Sequence, residues 1–107
     1  MARTFTVPTT QGDMEILFNN RALYEFERVH GASAGSVLLS GSMGNRAITH
    51  FIWAGLLHEN RKITVEAVVD LIDLSQIKQT VDTIIDAMED ATATGLEPVE
   101  GGKKKKG

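Results

Sequence analysis

The sequence has no cysteine, so a disulfide framework and a thiolate metal site are both excluded. It has few aromatic residues, 6% of the chain, with one tryptophan and one tyrosine. No run approaches the roughly 20 apolar residues that a membrane-spanning helix needs. The start, MARTFTVPTTQGD, holds no long apolar stretch, so no secretory leader is expected. Positive charge is scarce as well. Between Ile63 and Glu100 the only basic residue is Lys78, against nine acids. Residues 1–102 carry seven basic and fourteen acidic side chains, a balance of −7, which repels phosphate. Nucleic acid and membrane are therefore not expected as partners of the body of the chain.

What is present suits one small folded unit. The chain has 107 residues, 42% of them hydrophobic, enough for a core that encloses about two-thirds of the unfolded surface. TFTVPTTQGDMEILFN reads as a β-hairpin: Phe5 and Val7 alternate with threonines, TTQGD supplies the turn, and Met14, Ile16 and Phe18 alternate with Glu15 and Leu17. NNRALYEFERVHG reads as a helix capped by Asn19 or Asn20 and closed by Gly31. RAITHFIWAGLLHEN is a second helix, with an apolar stripe of Ile48, Phe51, Ile52, Leu56 and Leu57. ITVEAVVDLID is a third, capped by Thr64, with Val68, Val69 and Ile72 expected inward. SQIKQTVDTIIDAMEDA is a fourth, capped by Ser75. Its Ile77, Val81, Ile84, Ile85 and Met88 lie on one face, and its acid-rich last turn is expected to fray. The fold class is thus α+β and mainly helical, an N-terminal β-hairpin followed by about four helices. Residues 1–92 form a single domain, and 93–107 a disordered linker with a lysine tail.

Residues carrying chemistry are few. Of three histidines, His50 and His58 stand eight residues apart on one helix, about 12 Å along its axis. That is too far for one ion, and His30 reads as a helix-end residue interacting with the dipole. No metal site and no cofactor are expected. GASAGSVLL and GSMGNR lack the Gly-Lys-Ser/Thr ending of a phosphate loop, and no serine sits in a Gly-x-Ser-x-Gly elbow. Asp70 and Asp73 are expected on a solvated helix face. With no nucleophile, base or cofactor fingerprint, the chain reads as a binding protein and not an enzyme. The candidate partner-binding residues are Val37, Leu38, Leu39 and Trp53. The triplet lies inside a Gly/Ser-rich segment and serves either the core, as a short turn of helix, or a partner. Trp53 is most simply a core residue, with partner contact as the alternative.

Phe51-Ile52-Trp53-Ala54-Gly55-Leu56-Leu57-His58-Glu59 followed by Thr64-Val65-Glu66-Ala67-Val68-Val69-Asp70-Leu71-Ile72-Asp73 resembles the tail assembly chaperones of long-tailed bacteriophages and prophage-like elements. The likeness runs over roughly residues 5–90. It implies a protein of the bacterial host cytoplasm, not retained in the mature virion, that binds and solubilises the tape measure protein while tail tube subunits assemble around it. It also implies a longer frameshift product that recruits the tail tube protein. Tandem lysine codons re-pair readily after a one-nucleotide slip, so Gly-Gly-Lys-Lys-Lys-Lys-Gly at 101–107 reads as an encoded slippery run, or else as a solubilising tail or cloning remnant. A homo-oligomer is also open, since apolar surface kept for a partner can pair with itself. The rival reading is a small structural virion component, a head–tail joining or tail protein.

Overall fold

The computed structural model describes residues 3–41 and 43–92; the expected linker and lysine tail, 93–107, lie outside the described residues. Two strands, β1 (Phe5–Val7) and β2 (Met14–Ile16), pair antiparallel with Phe5 opposite Ile16 and Val7 opposite Met14. The period of two puts these four side chains on the inner face and leaves Thr6 and Glu15 exposed. Thr9 and Gly12 exchange backbone hydrogen bonds of 3.1 Å to close the turn. Thr10 then ties the hairpin loop to the far end of the domain. Its N–H donates to Leu71 O at 3.0 Å and its hydroxyl to Asp70 O at 2.7 Å.

Five α-helices follow: α1 (Asn20–His30), α2 (Ala34–Leu39), α3 (Asn45–Leu56), α4 (Val65–Val69) and α5 (Ile77–Ala91). The α+β, mainly helical class read from the sequence is the one observed, with α2 added by the Gly/Ser segment. Helix α1 begins where the Asn19 side chain accepts from Ala22 N–H at 2.9 Å. It ends at Gly31, whose φ of 91° is a left-handed value that suits glycine and whose N–H donates to Glu27 O at 2.9 Å. Ser33 caps α2 by accepting from Ser36 N–H at 3.1 Å, so the serines that weaken a helix interior here start one. Thr64 caps α4 as expected, through Ala67 N–H at 3.1 Å.

Helix α3 carries the most packing partners among the described elements. Every residue from Ala47 to Leu56 is buried, because α1, β2, α4 and α5 all pack against it. Phe51 stacks on Phe26 of α1 at 4.0 Å between centroids and meets Phe18 edge-on at 6.0 Å. Gly55 lies against β2: a Cβ there would stand 2.6 Å from the Cβ of Ile16. At that contact Leu17 N–H donates to Gly55 O at 2.9 Å, so strand exit and helix touch through their backbones.

Four expectations are corrected. Val69 does not point inward; it is 49% exposed, because α4 is only five residues long and turns Val68, with Val65 partly buried beside it, toward the core. Ser75 is not the cap of the last helix. Asp73 accepts from Ser75 N–H (3.1 Å) and hydroxyl (2.7 Å), starting a 3-10 turn, Leu74–Gln76, that runs into α5. Those bonds hold the Asp73 carboxyl below its ordinary pKa. Asp73 is thus a cap and Asp70 the residue closing α4, rather than two members of one solvated helix face. The acidic end of α5 is helical through Ala91. There the Thr92 hydroxyl donates to Met88 O and Glu89 O, both at 3.1 Å, and Arg3 reaches Asp90 at 3.5 Å.

Candidate partner-binding surface

Helix α2 carries Val37, Leu38 and Leu39 at its C-terminal end, and they differ in burial. Val37 and Leu38 are half-buried, while Leu39 is 89% exposed. A six-residue helix turns less than twice, so three consecutive apolar positions cannot all face one neighbour. Val37 and Leu38 line a cleft of about 140 Å³ with Met43 and with Val81 and Ile85 of α5. The helix ends where the Ser40 hydroxyl donates to Val37 O at 2.7 Å. Leu39 projects beside this cleft without a cover among the described residues. An exposed leucine costs roughly 2 kcal/mol against a buried one, and a partner that covers it recovers that amount.

Trp53 is elsewhere and serves the core. It is 7% exposed on α3, and its indole N–H donates to Ile63 O at 2.9 Å, pinning the turn between α3 and α4. A partner lying on α2 therefore does not meet it, and the structure does not bring the four candidates together.

Sequence reasoning missed a polar pair. His30, at the end of α1, and His50, inside α3, meet with their Nδ1 atoms 2.9 Å apart. Arg46 Nη1 lies 3.4 Å from both His30 Nδ1 and His30 O. In the pair one Nδ1 carries the shared proton and the other accepts it, while Arg46 Nη1 has the His30 carbonyl as an acceptor. His30 also stacks on Phe26 at 4.8 Å between centroids. Burial, then the Arg46 charge, holds both imidazoles below the usual histidine pKa, so His30 is not the cationic helix-end residue read from the sequence. Only the spacing of Arg46 and His50, four residues apart on one helix face, hinted at a polar spot; nothing marked His30 as its partner. His58 lies beyond the end of α3, its Nε2 3.1 Å from Glu15 O of β2. Among the described residues no group of three or more His, Asp or Glu is placed to hold a metal ion, and no helix is long and apolar enough to cross a membrane. No family model, no curated protein and no solved structure matches this chain.

Proposed function

We propose that this chain is a tail assembly chaperone of a long-tailed bacteriophage or prophage-like element, acting in the cytoplasm of the bacterial host. It binds the tape measure protein and keeps it soluble during tail assembly. It is the shorter product of a frameshifted pair, and the longer product recruits the tail tube protein. It works by binding, not by catalysis. The reading is carried by the resemblance over Phe51–Glu59 and Thr64–Asp73. Leu39, bare beside a cleft of Val37, Leu38, Val81 and Ile85, supports it physically. A long helical client presents rows of apolar side chains, and a small holdase needs an apolar contact for them that is not already spent on its own core. The excess of acid over the rest of the chain would keep the coated client dispersed.

The test is co-expression with the tape measure protein of the same gene cluster, scored as soluble complex after affinity capture. The expected outcome is a client that is insoluble alone and soluble when captured with this chain. Failure of both rescue and capture, with the chain found instead in purified particles, would move it to the structural virion class.

A further inference from the structure

Helix α5 carries two features side by side that the described residues leave unmatched. The first is apolar. Val81 and Ile85 line the cleft of about 140 Å³ with Val37, Leu38 and Met43, and all five side chains are only half-buried. Small-molecule sites run from about 300 Å³ upward, so this cleft suits one or two aliphatic side chains rather than a cofactor. The second is electrostatic. Asp82 and Glu89 stand three residues before and four after Ile85, spacings that make them its neighbours on the helix surface, and Asp86 lies in the same row. All three are exposed. Lys78 pairs with Asp82 at 3.4 Å, whereas Asp86 and Glu89 have no ion pair among the described residues. They also crowd the negative end of the helix dipole, and the last turn of α5 holds no basic residue to offset it.

The sequence after Thr92 supplies both complements. Leu96 and Val99 are the large aliphatic residues of 93–107, and Lys103–Lys106 are its cations. Pro98 favours a polyproline II path through Glu97, and three residues per turn then set Leu96 and Val99 on one side. The lengths agree as well. Thr92 lies seven residues past Ile85 and eleven past Val81, about 10 and 16 Å along the helix axis. Leu96 is four residues beyond Thr92, a reach of up to about 13 Å, and Val99 is seven beyond it, up to about 23 Å. The ten residues 93–102 span about 17 Å root-mean-square, close to the roughly 15 Å from Thr92 back to Asp82. A tether whose span matches the distance holds its end at an effective concentration on the order of millimolar.

We infer that residues 93–107 of the same chain fold back along α5, with Leu96 and Val99 in the cleft of Val37, Leu38, Val81 and Ile85, and Lys103–Lys106 on Asp82, Asp86 and Glu89. Gly101 and Gly102 give the turn between the two contacts. The segment is a tethered cover for the cleft. Exposed ion pairs hold it weakly, so it lifts off in salt or when another apolar side chain competes for the cleft. The inference uses no client and no second copy, so it stands or falls apart from the chaperone reading.

Paramagnetic relaxation in the full chain tests it. The sequence has no cysteine, so Gly107→Cys takes a nitroxide label at one place and keeps all four lysines. The amide signals of Val37, Leu38, Ile85, Asp86 and Glu89 should broaden, and added salt should relieve them. Leu96→Asp with Val99→Asp, and separately Asp86→Arg with Glu89→Arg, should each reduce that broadening at least about threefold, because losing one contact from a marginal equilibrium empties the docked state. Asp86 and Glu89 are exposed, and the remaining amide shifts check that each variant keeps the fold. Nitroxide-bearing chain without NMR isotopes, mixed with isotope-labelled chain lacking the nitroxide, should cause no broadening. Absence of broadening at the cleft would overturn the inference and leave the cleft to another occupant. So would broadening that either pair of substitutions leaves unchanged, or broadening carried over in the mixture, which would place the segment on a second copy.

Discussion

Helix α3 encloses every residue from Ala47 to Leu56, whereas α2, which ends five residues before it, buries only Ala34. Both are apolar, AGSVLL against NRAITHFIWAGL, so side-chain character alone does not separate them. What separates them is the number of neighbours each can admit. Gly55 lets β2 approach to backbone contact, Ala47, Thr49 and Ala54 are small as well, and α1, α4 and α5 also pack on α3. Helix α2 is short, and it sets only Ala34 into the core and rests Val37 and Leu38 against it. Core helices are therefore made as much by small residues that admit neighbours as by large ones that fill space. Leu39 is the large apolar residue of α2 that finds no neighbour among the described residues.

The largest expected effect comes from closing one approach to α3. Gly55→Ala places a methyl 2.6 Å from Ile16 Cβ, an atom fixed to the β2 backbone that cannot swing away. The strand must separate from the helix and stretch the Leu17 N–H to Gly55 O bond. A destabilisation of about 3 kcal/mol is expected in chemical denaturation, at the upper end for overpacking. The same change at Gly35 of α2, where an added Cβ meets nothing within 4 Å, should be neutral or slightly stabilising, as alanine favours helix. Equal destabilisation at both positions would break the contrast between the two helices.

This contrast also marks what the sequence could convey. Local devices were legible: the alternation in the hairpin, the Asn19 and Thr64 caps, Gly31, and the row from Ile77 to Met88 all act within a few residues of themselves. Features created by packing between distant segments were not. The stripe of Ile48, Phe51, Ile52, Leu56 and Leu57 implied one buried face of α3. The structure buries Thr49, His50 and Gly55 as well, because neighbours arrive on the remaining faces. Ser75 and Asp73 compete for one cap two residues apart, and only the observed backbone shows that Asp73 takes it. The His30–His50 contact spans twenty residues and depends on the angle at which α1 crosses α3.

That contact sets a second expected effect, smaller and dependent on pH. The imidazole pKa values are lowered in the folded chain, so the unfolded chain takes up protons first as pH falls. The stabilising contribution is fully present above the unfolded value of about 6.5 and is lost as pH falls toward the folded values. Charging both rings removes the shared N–H···N bond, worth about 1 kcal/mol, and sets two cations beside the Arg46 guanidinium. Melting temperature should fall between neutral and mildly acidic pH, and His50→Phe should flatten that slope. An unchanged slope would show that this face of α3 is not held by the pair.

The smallest effect on stability is expected where α2 is bare. Leu39→Ala removes a side chain that is 89% exposed, so denaturation midpoints should move by no more than about 0.5 kcal/mol. Alanine also favours the helix slightly, which offsets any packing the leucine provides along the rim of the cleft. If Leu39 is reserved for a client, the same variant should fail in tape measure capture while its fold stays intact. Leu39→Asp should fail more completely, because a carboxylate cannot enter an apolar contact without desolvation. Val37→Ala distinguishes the alternatives. Val37 is half-buried against α5, so it should cost both some stability and some capture. Capture unaffected by either Leu39 variant would place the client on another face, and Leu39 would then be a surface leucine of no consequence. A drop in stability at Leu39 as large as at Gly55 would mean that something covers α2 after all. The distinction between an enclosed helix and a bare one would then have to be redrawn around that cover.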